Sequence, residues 1–290
     1  MPGELIENVS DTAFWVAYYR AVESKRPDRL FRDPLAGVLA GERGERIARS
    51  MPMSFWTQWT VVMRTCIIDD FIRQAIANGV DTVVNLGAGL DTRPYRMELP
   101  ESVLWIEADY PQMIEFKETK LAGEKPRCRL ERVKADLSNA TERRQMLASV
   151  DSRAAKMIAL TEGVVPYLSE EEAGALADDL KSLKHSGLWI VEYLAPQTMK
   201  YRLRGPMKRR MQNAPFKFAP KDWFGFFRQH GWRPKETRYF MDEAARLKRP
   251  VELPFVMKAL FTIRGILSSP ETRERWRKLA GYVLFERAVS

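Results

Sequence analysis

The chain has 290 residues, enough to bury one large core or two small ones. At 45% hydrophobic and 29% charged it has the balance of a globular protein, which excludes a disordered or fibrous chain. The formal charge of +9 favours acidic partners (a carboxylate, a phosphate or nucleic acid) without choosing among them.

Met1-Pro2-Gly3-Glu4 lacks the basic start and apolar stretch of a secretory signal. No run of about 18 apolar residues follows, so no membrane span or membrane partner is expected and a cytoplasmic location is. Residues 1–78 read as helical. Ser10-Asp11-Thr12 offers caps for a helix through Trp15, Tyr18, Tyr19 and Val22. Asp33-Pro34 opens a short helix, and 55–77 carries apolar residues at helical spacing until Asn78-Gly79 ends it. Cys66 and Cys128 stand apart without histidine partners, which suits buried thiols in a reducing compartment.

From Asp81 the pattern alternates. Strands are expected at 82–86, 103–108, 127–134, 157–160, 188–193, 234–239 and 282–287. Helical segments lie between the early ones, at 111–121, 139–148 and 170–183, the last capped by Ser169 with Glu172 three residues on. The expected fold is therefore α/β: an open, seven-stranded, mostly parallel sheet with an antiparallel last strand and helices on both faces. Residues 1–78 would form a helical cap and 79–290 the core, with insertions at about 195–222 and 243–276 bordering the substrate.

The stretch 83–93 is the most informative. An apolar run, Val83–Leu86, ends in Gly87-Ala88-Gly89, a tight turn that lets a nucleotide-like ligand approach bare backbone. A second apolar run, 103–108, ends in Asp109, and a carboxylate there suits a ribose diol. A dinucleotide site needs a third glycine, which is missing, and no phosphate-binding Gly-Lys-Ser/Thr loop exists. An adenosine ligand without pyrophosphate fits, and S-adenosyl-L-methionine is one.

With these residues the chain resembles the leucine carboxyl methyltransferase group of class I S-adenosylmethionine-dependent methyltransferases. Within that group it is similar to the bacterial branch of tetracenomycin-type polyketide O-methyltransferases. The resemblance rests on Thr12-Ala13, Arg20-Ala21, Asp33-Pro34, Arg64-Thr65, Asp69-Asp70, Asn85 through Arg93 with Arg96, and Glu107-x-Asp109-x-Pro111. It continues in Asp136-Leu137, Thr161-Glu162-Gly163 and Tyr167-Leu168. It implies S-adenosyl-L-methionine as cofactor. Gly87, Ala88 and Gly89 would form its cradle. Asp109, with Tyr110 beside it, would take the ribose, and Asp136-Leu137 the adenine. Arg64 would fork the methionine carboxylate, and Glu162 would lie near the ammonium. Each has a plainer reading: Arg64 on the surface, Asp109 and Asp136 as helix caps, Glu162 in a solvated loop. Asp91 and Arg93 read best as an ion pair fixing the glycine turn.

The acceptor is less legible. His185 and His230 both precede glycine-containing turns, where helix C-termini favour them structurally. A hydroxyl acceptor benefits from a general base, whereas a carboxylate is already ionised. The shortage of histidine, the positive charge and the resemblance all lean toward O-methylation of a carboxylate on a small-molecule or peptidic acidic substrate (a natural product or modified peptide), with Tyr167 as the residue positioning it; a hydroxyl acceptor stays open, since a Tyr, Asp or Glu can serve as its base. Residues 200–210 hold six basic residues, followed by aromatics at Phe216, Phe218, Trp223, Phe224, Phe226 and Phe227. They read either as a solvated helix with an amphipathic one behind it or as a lid. A nucleic-acid-binding protein or RNA methyltransferase is the alternative. It is disfavoured because no Asn/Asp-Pro-Pro-aromatic run is present and neither cysteine is followed by proline. A scaffold that kept the fold without catalysis is a third reading. Oligomeric state is not readable.

Overall fold

The computed structural model describes residues 6–51, 53–202, 209 and 211–288. Most of the basic run at 200–210 therefore lies outside the described residues.

The strands are β1 (Thr82–Leu86), β2 (Leu104–Asp109), β3 (Arg129–Lys134), β4 (Met157–Thr161), β5 (Ser186–Leu194), β6 (Trp232–Tyr239) and β7 (Ala280–Arg287). They form a seven-stranded sheet in the order β3-β2-β1-β4-β5-β7-β6. Strands β1 to β5 pair in parallel, and β7 enters antiparallel between β5 and β6. Every residue of β1, β2 and β4 is buried, as a parallel strand covered on both faces requires. The two outer strands are different. β3 (RLERVK) and β6 (WRPKETRY) carry charges, and β6 holds Pro234 beside a register shift. Such residues blunt the exposed edges of a sheet.

Helices α1 (Asp11–Ser24), α2 (Pro34–Ser50) and α3 (Ser54–Ala77) precede the sheet. The Ser10 side chain makes no cap bond to α1; Asp11 accepts instead from the Glu7 and Asn8 backbone amides. Asp33 does cap α2, accepting from the Ala36 amide, but this helix runs 17 residues and is not the short one expected. It is kinked at Gly41, whose φ of 52° is the left-handed conformation that glycine tolerates. α3 lies along one face of the sheet, with Phe71 and Ile72 against Val83, Trp105 and Ile190. α1 and α2 pack together through Phe14, Trp15, Leu39 and Ile47 over Leu90 and Met113.

Further helices are α4 (Arg93–Arg96), α5 (Pro111–Lys120), α6 (Ala140–Asp151), α7 (Glu170–Ser182), α8 (Pro196–Arg202), α9 (Trp223–Gln229), α10 (Phe240–Arg246), α11 (Phe255–Leu267) and α12 (Pro270–Arg277). Ser169 and Glu172 close the capping box of α7 at 3.1 and 2.7 Å. α6, α7 and α9 cover the second face of the sheet, where Phe218, Trp223 and Phe227 join Trp189, Trp232 and Phe285. The aromatics after the basic run thus fill the core, which leaves few of them to meet a nucleic acid. Cys66 and Cys128 are buried free thiols, each pushed up to about 12 by that burial.

Candidate active site

Strand order reverses at β1, whose neighbours β2 and β4 lead away in opposite directions, so the loops after β1, β2 and β4 diverge and leave a crevice. A cavity of about 1100 Å³ opens along this carboxyl edge. Pockets for drug-sized ligands commonly measure roughly 300–1,000 Å³, so this one lies at the large end. Its β1–β3 half is lined by Gly87, Gly89, Asp109, Tyr110, Leu137 and Ser138. Its β5–β7 half is lined by Glu192, Phe240, Met241, Arg264, Trp276 and Ala280, while α1 and α3 contribute Val16, Trp56 and Arg64.

The glycine turn is dictated sterically. Gly87 has φ 68°, and a Cβ there would stand 2.5 Å from Val164 Cγ2. Gly89 has φ 48°, with Ala13 3.1 Å from where its Cβ would be. Asp109 holds the turn: its Oδ2 accepts from the Gly89 amide at 2.6 Å and its Oδ1 from the Tyr110 amide at 2.7 Å. Burial pushes this carboxyl above its ordinary value, and the two amides offset part of that. A carboxylate has about four lone-pair positions, so both oxygens can accept further hydrogen bonds from a diol.

Beneath the turn runs a buried chain of charges. The fully buried Arg93 donates to Asp69 Oδ1 (2.7 Å), Asp91 Oδ2 (2.8 Å) and Glu162 Oε2 (2.7 Å). Arg96 extends it, forking Asp69 at 2.6 and 2.8 Å and lying 3.6 Å from Asp33 at the α2 cap. Asn85 in β1 donates to Asp91 at 2.8 Å. Burial opposes ionisation of Asp69 and Glu162, but Arg96 and Arg93 on the first, and Arg93 and Arg64 on the second, hold both below ordinary values. Asp91 and Arg93 are thus the structural ion pair the sequence suggested, joined to two further acids. Glu107 plays a parallel structural part, buried between Lys117 (2.7 Å) and Arg132 (3.0 Å).

Arg64 lies at the end of this chain. Its Nε is 2.8 Å from Glu162 Oε1, an ion pair whose alignment makes no hydrogen bond, so both buried atoms lack a hydrogen-bond partner. Buried polar atoms without partners are costly. Here they face a cavity with a guanidinium and a carboxylate together, a donor set matched to an α-amino acid's carboxylate and ammonium. Gly87, Gly89, Asp109, Arg64 and Glu162 therefore fit a ligand with a ribose at one end and an amino acid at the other.

Other expectations fare differently. The Asp136 side chain is turned onto its own loop, where Oδ1 accepts from the Ser138 amide and hydroxyl at 2.9 and 2.7 Å. Its neighbours Ala135, Leu137 and Ser138 line the cavity instead. Asn139, not Asp136, caps α6. Ala88 and Tyr167 line the cavity, and Tyr167 stacks on Phe216 at 5.1 Å. Tyr193 packs at the sheet's end against Trp223 and Phe224. His185 lies beyond the end of α7, its Nδ1 2.8 Å from the Asp151 carbonyl, and His230 caps α9 with Nδ1 2.8 Å from Asp178. Among the described residues no cluster of His, Cys, Asp and Glu could hold a metal. Sequence reasoning missed Trp56, Trp276 and Glu192. The tryptophans carry no pattern signal, but Glu192, an acid near the carboxyl end of β5, was findable by the logic that found Asp109.

Comparison with known proteins meets the same reading. A family model described as leucine carboxyl methyltransferase matches residues 13–181. A protein of Parafrankia named for S-adenosyl-L-methionine-dependent methyltransferase activity is 33% identical over 271 residues, covering 85% of this chain and 84% of its own. One of the same name from Streptomyces avermitilis is 30% identical over 262 residues, covering 84% and 89%. A crystal structure from Thermobifida fusca, described as a methyltransferase, superposes with a TM-score of 0.55 at 15% identity over 99% of this chain and 98% of that one, a likeness of fold. The chain belongs to the leucine carboxyl methyltransferase family and is an S-adenosyl-L-methionine-dependent methyltransferase.

Proposed function

We propose that the protein is an O-methyltransferase that esterifies a carboxylate on a small natural product or modified peptide, in the manner of the tetracenomycin-type branch. The cofactor supplies an electrophilic methyl on a sulfonium sulfur, to be delivered in line to an acceptor oxygen about 3 Å away. Asp109 would accept from its ribose hydroxyls, the backbone around Leu137 would meet its adenine, and Arg64 and Glu162 would hold its carboxylate and ammonium. Tyr167, stacked on Phe216, would position the acceptor. The α1–α2 layer and the segments at 195–222 and 243–276 would cover the cavity and exclude water.

One observation carries the carboxylate reading. Neither histidine lines the cavity, both being bound to Asp151 and Asp178 elsewhere, while Arg264, Arg275 and Arg277 line its β5–β7 half. A carboxylate needs a cation to seat it and no base to ionise it. Glu192 on the same wall supports a second reading, a hydroxyl acceptor deprotonated by that residue. Alkaline hydrolysis of the methylated product separates the two: a methyl ester releases methanol, whereas a base-stable ether would replace the first reading by the second.

A further inference from the structure

We propose that α11 is an interfacial helix that docks this protein on an anionic lipid bilayer. The helix faces the wrong way for a globular protein. Phe255 is 85% exposed, Val256 68%, Leu260 62%, Ile263 55%, Ile266 74% and Leu267 81%. With the exposed Ala259 they fill one arc of about 140° on the helix, with no polar residue among them. A contiguous apolar surface of this kind marks a contact, unlike singly scattered apolar residues.

Charge selects the contact. Lys258 and Arg264 flank the apolar arc on its two sides, and no acid occurs between Glu252 and Glu271. Residues 244–278 hold nine lysines and arginines against three glutamates. An apolar face bordered by cations is the pattern of a helix lying in the headgroup region of an anionic leaflet. A second copy is a poor occupant, because apposing two such faces would bring their cations together. Arg264 also lies over the Trp276 ring at 5.1 Å, and both line the cavity. The exposed Val9 and Met241 lie on the same wall system. Docking through α11 therefore turns the cavity mouth toward the lipid. No described helix is long and apolar enough to cross a membrane, and a 13-residue helix lying in the surface needs no such length. The sequence reading expected no membrane partner because it looked only for a span.

The test is flotation of the full chain with vesicles of phosphatidylglycerol and phosphatidylcholine, against phosphatidylcholine alone, at low and high salt. The wild type should float with the anionic vesicles and be released by salt. Leu260→Asp with Ile263→Asp should weaken partitioning about tenfold or more, and Lys258→Glu about fivefold or more. Neither change touches the cavity, so calorimetric affinity for S-adenosylhomocysteine should stay at the wild-type value, which also reports an intact fold. Failure of the wild type to bind anionic vesicles would overturn the proposal, as would unaltered binding by the Leu260/Ile263 variant. So would a dimer in sedimentation that the same substitutions dissociate. None of these readouts depends on methyl transfer.

Discussion

The two halves of the cavity are built by different physics. On the β1–β3 side, positions are set by ionic groups in a dry interior: Arg93 meets three acids, and Asp109 grips the glycine turn through two amides. On the β5–β7 side, Phe240, Met241, Trp276 and Leu279 share the wall with Glu192, Arg264, Arg275 and Arg277 without a buried ionic chain to fix them, and the helix beyond exposes its apolar face. A charge network tolerates few substitutions, because removing one member strands the others. An apolar wall tolerates many, provided volume is kept.

The contrast can be broken most severely at Arg93. Arg93→Ala strands Asp69, Asp91 and Glu162 and is expected to cost about 3–5 kcal/mol of stability, measurable by urea denaturation. Next come Arg64→Ala and Asp109→Ala, each expected to weaken cofactor affinity about 10–100-fold while the melting curve stays cooperative. Acid should act on the same half. Asp69 and Glu162 have folded values held below the ordinary 3.8 and 4.5. Their contribution is therefore present above those ordinary values and lost as pH falls through the lower folded ones. Denaturant midpoints should drop across that acid range, and less so in the Arg93→Ala protein. On the other side, Trp276→Ala should raise the acceptor KM about fivefold to tenfold and leave cofactor affinity alone. The smallest effect is expected from His185→Asn and His230→Asn. Both should change kcat less than about twofold, against the 10²–10⁴-fold typical of a general base, and no step near the ordinary histidine pKa should appear in the rate profile.

The same division explains what could be read from the chain. Strands β1, β2 and β4 were legible because burial on both faces forces uninterrupted apolar runs, and the glycine turn because a positive φ against Val164 leaves no alternative. Asp109 could be picked out as an acid closing an apolar strand, whereas Arg64, in the middle of α3, and Glu162 could be picked out only through the family resemblance. Asp136 was ambiguous: a short acid four residues before α6 can face a ligand or close its own loop, and its side chain accepts from Ser138. The reach of α2 was hidden by Gly37, Gly41 and Gly44, which read as breaks although the chain only kinks. The cavity's tryptophans were hidden because an apolar side chain looks the same in a core and on a wall. Orientation was hidden too, since the pattern of α11 reports an apolar face without saying whether it points in or out.

The central claim is that the β1–β3 half of the cavity, through Asp109 and Arg64, holds S-adenosyl-L-methionine. Isothermal titration of S-adenosylhomocysteine into the wild type, Asp109→Ala and Arg64→Ala tests it most directly. One site per chain, weakened in both variants with folding intact, is the predicted result. Wild-type affinity in both variants would contradict it.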